Sequence, residues 1–137
     1  MSLQDRYFRL VEGELFDFEE NKKRLQELKE DIAYESTAQS YDEQPRGSRS
    51  NTSTTERQGE KILTNKVACR LANTIEAIER AKEKRFDPEH LKLYNLRYRQ
   101  RKNWQVIIDK MSISKSAYYR KRKEVVRIVA EEMGLTS

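Results

Sequence analysis

Residues 103–134 read NWQVIIDKMSISKSAYYRKRKEVVRIVAEEMG. Asn103 can accept a hydrogen bond from an amide left unpaired at a helix start. Behind it Trp104, Ile107, Ile108 and Met111 recur at helical spacing. Ser112-Ile113 breaks the pattern, Ser114 offers a second cap, and a longer helix extends to about Glu132, with Gly134 as its stop. A helix of about two turns, a turn of three or four residues and a longer capped helix form the layout of a helix-turn-helix.

One further helix precedes this pair. In Asp87-Pro88-Glu89 the aspartate caps, the proline lacks an amide that would go unpaired, and the glutamate suits the positive end of the dipole. The helix continues through Leu91, Leu93, Tyr94, Leu96 and Tyr98 to a break near Arg101-Lys102. Residues 87–137 therefore read as a three-helix helix-turn-helix domain. His90, just past the proline, is expected on its solvated surface.

The last helix separates into two faces. Tyr118, Val125, Ile128, Val129 and Met133 form the inward one. Lys115, Ser116, Tyr119, Arg120 and Lys123 share the opposite face in the N-terminal half, where a recognition helix meets base edges in the major groove. Arg and Lys can bond guanine, and a tyrosine ring can pack on a thymine methyl or bond a phosphate. Arg101, Lys102 and Asn103, with the free amides beside them, suit the phosphate backbone.

Outward from this module the chain stays helical, and the expected class is all-α. Residues 1–35 form an N-terminal helical segment with two apolar stripes, Tyr7-Leu10-Val11-Leu15 and Leu25-Leu28-Ile32. The phase changes between them, where Asp17 is a candidate cap of a helix pair or kinked helix. Residues 36–54, rich in hydroxyl and amide side chains with Pro45 and Gly47, have the composition of a flexible linker. Residues 55–86 read as one long helix, capped by Thr54 or Thr55, with Leu63, Val67, Leu71, Ile75 and Ile78 on one face. No period-two pattern is sustained, so no strand is expected.

Charge points to a partner and excludes several classes. The net charge of the 137 residues is +5, yet residues 1–36 hold 6 basic against 10 acidic side chains while residues 87–137 hold 12 against 6. The positive field lies at one end, which suits a polyanion. No apolar run approaches the roughly 20 residues of a spanning helix, and Met1–Leu10 lacks the core of a signal peptide; the expected location is the cytoplasm. Cys69 and His90 are each single, too few for a zinc site, and Cys69 reads as a buried or half-buried helical residue. No metal, cofactor or catalytic residue is expected. The adjacent carboxylates Glu19-Glu20, Glu30-Asp31 and Glu131-Glu132 do not face one another on a helix, and no glycine loop cradles a phosphate.

The stretches WQVIIDKMSIS (104–114) and KSAYYRKRKEVVRIVAEEMG (115–134) resemble the region 4 helix-turn-helix of bacterial sigma factors. They are similar above all to phage late-gene transcriptional activators of the RinA and ArpU type. ELFDFEENKKRLQELKEDI (14–32) and SNTSTTE (50–56) resemble RinA-type proteins as well, so the likeness touches most of the chain. The resemblance implies a protein that binds duplex DNA upstream of a late promoter and helps host RNA polymerase transcribe packaging and structural genes. Lys115, Ser116, Tyr119 and Arg120, with Lys123 further along, match the recognition helix. Two positions depart from the pattern. Ser112 replaces the usual glycine of the turn, at a cost of roughly 1 kcal/mol if the left-handed conformation is required. Lys121 stands at an often apolar place, where its stem can pack while the ammonium reaches solvent or phosphate.

Two other readings compete. A phage small terminase subunit also binds packaging DNA through a helix-turn-helix, but usually carries that module first, not last. A pure interaction protein would act through its N-terminal helices, whose stripe is also the candidate seam of a homodimer.

Overall fold

The computed structural model describes the backbone of residues 3–41 and 51–135, and the side chains of residues 6–34 and 65–135. Among the described residues every element is helical and none is a strand. The order is α1 (Leu3–Phe16), α2 (Phe18–Tyr41), α3 (Asn51–Arg80), α4 (Pro88–Tyr94), α5 (Trp104–Met111) and α6 (Lys115–Glu132). α3 and α4 each pass into one π-helical turn, Ala81–Arg85 and Asn95–Arg99. No described helix is long and apolar enough to cross a membrane.

α1 and α2 part at Asp17, as the phase change predicts. The amide of Asp17 still donates to the carbonyl of Gly13 at 3.0 Å. Both neighbouring helices reach into the expected linker: α2 runs to Tyr41, and α3 begins at Asn51, ahead of Thr54 and Thr55. The centre of that stretch, residues 42–50, lies outside the described residues, as do the side chains of Leu63, Thr54 and Thr55.

The chain forms two compact units, one of residues 1–19 with 73–137 and one of residues 20–72. These boundaries fall inside α2 and α3, not at the segment borders 35/36, 54/55 and 86/87 read from the sequence. In the first unit Val11 and Leu15, four residues apart on α1, are buried together with Phe18, Ile78, Leu93, Ile107 and Val129. Leu10 belongs to the same expected stripe but is 48% exposed, because it lies about 100° around the helix from Val11. α1 packs on α6 and on the π-helical turn Asn95–Arg99. In the second unit Leu25, Leu28 and Ile32 on α2, and Val67 and Leu71 on α3, are half-buried, and Cys69 is exposed rather than covered.

The last helix stops as glycine chemistry requires. Gly134 adopts φ 76°. Its amide donates to Glu131 O at 3.0 Å and that of Leu135 to Ala130 O at 2.9 Å. These are the paired bonds of a Schellman closure, which needs the left-handed residue.

Candidate nucleic-acid interface

Three caps fix the backbone of the helix-turn-helix. Asp87 Oδ1 accepts from the His90 amide at 2.8 Å. Asn103 Oδ1 accepts from the Val106 amide at 3.0 Å, and Ser114 Oγ from the Ala117 amide at 3.1 Å. Between α5 and α6, Ser112 takes the left-handed conformation at φ 54°, ψ 48°. The Ile113 amide then reaches Ile108 O at 3.1 Å. The turn thus keeps the geometry that glycine usually supplies, with serine carrying the steric cost.

His90 corrects the sequence reading: it is only 8% exposed. The Asp87 amide donates to its Nδ1 at 3.3 Å, which leaves the proton on Nε2 to be donated to Glu124 Oε2 at 2.9 Å. His90 therefore fills the place that glutamate or glutamine holds in an ordinary capping box and ties α4 to α6. That bond, against a smaller opposing effect of burial, holds the Glu124 carboxyl below its usual range.

α6 divides its basic side chains between two jobs. Lys115, Ser116, Tyr119, Arg120 and Lys123 are all exposed along its N-terminal half. Among the described residues Lys115, Arg120 and Lys123 form no ion pair, although Arg120 feels the charge of Glu124 one turn on. Tyr119 is 38% exposed and meets the buried Tyr118 ring edge-on, with centroids 5.1 Å apart. The remaining cations of the run turn inward. Lys121 pairs with Glu89 of α4, so its ammonium is directed to a carboxylate of its own chain. Arg122 donates from Nε and Nη2 to the two oxygens of Glu12, at 2.8 and 2.7 Å.

Glu12, on α1, is the hub of a network that no local pattern announces. It is 8% exposed and also accepts from Arg97 Nε at 3.1 Å and from the Tyr98 hydroxyl at 2.6 Å. Arg97 continues to the Tyr118 hydroxyl at 2.9 Å. Burial pushes the Glu12 carboxyl up, but Arg122, Tyr98 and Arg97 together outweigh it and hold the group below its usual range. Two guanidiniums, two phenols and one carboxylate thus satisfy one another where an unpaired charge would be costly.

The three residues expected to grip the phosphate backbone are exposed at the start of α5, and they differ in freedom. Arg101 has φ 55°, uncommon for a residue with a side chain. Its guanidinium lies 5.2 Å from the centre of the Phe16 ring and donates to the Phe16 carbonyl at 3.4 Å, the favourable place for a cation at a helix C-terminus. Asn103 uses its carboxamide oxygen as a cap. Lys102 has no carboxylate partner among the described residues. The starts of α5 and α6 come together through Trp104, whose ring centre is 4.4 Å from Lys115 Nζ.

A family model described as a protein of unknown function, DUF722, matches residues 15–131. The chain is a member of the DUF722 family. No curated protein and no solved structure matches it. The DUF722 match spans all eight residues read as the interface, together with Arg97, Tyr98, Tyr118 and Arg122, while Glu12 lies just before it.

Proposed function

We propose that this protein is a sequence-specific duplex-DNA-binding transcriptional regulator that inserts the N-terminal half of α6 into the major groove. One observation carries the reading. Lys115, Arg120 and Lys123 stand exposed on one face, none of them in an ion pair among the described residues, while Lys121 and Arg122 of the same helix are paired with carboxylates of the unit. Exposed cations held in no ion pair, beside an exposed tyrosine and serine at the start of the second helix of a capped helix-turn-helix, suit a polyanion whose groove edges also offer hydrogen bonds. Lys102 and the amides at the start of α5 suit the flanking phosphates.

The more specific reading, an activator of phage late genes working with host RNA polymerase in the bacterial cytoplasm, rests on the likeness of residues 104–134 to RinA- and ArpU-type activators. A homodimer would fit a two-fold operator, with its seam on the half-buried α2 stripe Leu25-Leu28-Ile32, because Val11 and Leu15 of the α1 stripe are already buried in their own unit. Footprinting the purified chain on the DNA around its own gene tests these points together. A protected site of one or two half-sites next to a promoter supports the regulator. Protection at a packaging site by a ring-sized assembly in sedimentation would favour a terminase subunit instead.

A further inference from the structure

We infer that Trp104 is a positioning residue of this interface: its indole face seats the Lys115 ammonium and aims it at a single phosphate. The inference rests on the DNA-binding reading above. Lys115 Nζ lies 4.4 Å from the centre of the Trp104 ring, well inside the range at which the negative ring face attracts a cation. Each is the first residue of its helix, directly after a cap that fixes its backbone, Asn103 before Trp104 and Ser114 before Lys115. The main chain on both sides of the contact is thus held, and only the lysine stem needs ordering.

A lysine stem has four rotatable bonds and loses much rotamer entropy when it grips a ligand. A ring that already holds the head removes part of that loss before DNA arrives. Lys115 is exposed and has no carboxylate among the described residues to hold it elsewhere. Trp104 itself is only half-buried, whereas Ile107, one turn on, is fully buried. The ring lies at the edge of the core with a face to offer. A single ammonium acts as a point charge and not as a planar fork, which matches a phosphate better than a guanine edge.

The test is a double-mutant cycle on duplex DNA with the full chain, W104L, K115Q and the double variant, titrated at several salt concentrations. W104L is expected to weaken binding by about two- to three-fold, part of the cost of ordering one long side chain, and K115Q by more, because it also removes the phosphate contact. The double variant should bind no more weakly than K115Q. K115Q should flatten the dependence of log affinity on log salt by about 0.9, W104L by a fraction of that, and W104F should bind like the parent. Independent losses that multiply in the double variant would overturn the inference. So would a salt dependence in W104L equal to the parent's, or a W104F as weak as W104L.

Should W104L fail to fold, fluorescence decides, because Trp104 is the only tryptophan. Its emission should shift in K115Q and be quenched by DNA in the parent more than in K115Q. Unchanged emission in both comparisons counts against the contact. A parent chain that ignores every duplex sinks the DNA-binding reading and this inference together, whereas binding without coupling sinks only the inference.

Discussion

Arg120 and Arg122 stand two residues apart on α6, and their surroundings are opposite. Arg120 is exposed and held in no ion pair among the described residues, with Glu124 acting on it only at longer range. Arg122 is half-buried, bonded through two nitrogens to Glu12, with its guanidinium 5.0 Å from the centre of the Phe8 ring. Two residues on a helix are about 200° apart, so a run of four cations necessarily distributes itself around the axis. The contrast teaches that RKRK is not one basic patch. Half of it builds the domain and half stays on the exposed face.

The sharpest way to break the comparison is at Glu12. Glu12→Ala leaves Arg97 and Arg122 without their shared counter-charge and the Tyr98 hydroxyl without its acceptor. The expected loss is about 3–5 kcal/mol of stability, read by urea or thermal unfolding. Loss below about 1 kcal/mol would mean that solvent already screens the network. The same site predicts a pH effect. The Glu12 carboxyl is lowered in the folded state, so its contribution is present above the unfolded carboxyl value and is lost as pH falls through the folded one. Glu12→Gln should therefore flatten the acid limb of the stability curve, leaving the neutral-to-basic limb unchanged in shape.

The outward arginine should behave in the reverse manner. Arg120→Ala is expected to change stability by less than about 0.5 kcal/mol and to weaken binding to the mapped site by about 1–3 kcal/mol if the residue reads a base. Equal losses on mapped and random duplexes would make it a phosphate contact. A smaller effect concerns the turn that presents this face. Ser112→Gly removes the strain of a side chain at φ 54° and should raise stability by up to about 1 kcal/mol, with DNA affinity unchanged. Smallest is Gly13→Ala on the exposed side of α1, where an added Cβ meets nothing within 4 Å. A gain of about 0.5–1 kcal/mol is expected there from helix propensity, and a loss would mean that an unseen surface covers the site.

What was legible in the sequence follows from the range of each interaction. Asp87, Asn103 and Ser114 cap helices through partners three residues away, so their chemistry is visible in a short window. The two faces of α6 follow from periodicity alone, as does the break at Asp17. The burial of His90 escapes a local window because its decisive partner, Glu124, is 34 residues distant and because histidine is an unusual member of a capping box. The Glu12 network was invisible for the same reason: its partners lie 85, 86 and 110 residues away. Nothing local marks an acidic residue on an acidic helix as the one that turns inward. The charge of Arg101 suggests a phosphate grip, and the contact of its side chain with the end of α1 shows only in the packing of α1. The ends of α2 and α3 were drawn short because the polar composition that suggests a linker does not forbid a helix.

The outward face of α6 either meets duplex DNA or it does not. The direct measurement is equilibrium binding of the full chain to duplex DNA across a range of salt, beginning at low ionic strength. The predicted result is log affinity falling linearly with log salt, at about −0.9 per phosphate engaged, with the line shallower in a variant carrying Lys115→Gln, Arg120→Gln and Lys123→Gln together. Absence of binding to any duplex at low salt, or a triple variant that binds like its parent, would contradict it.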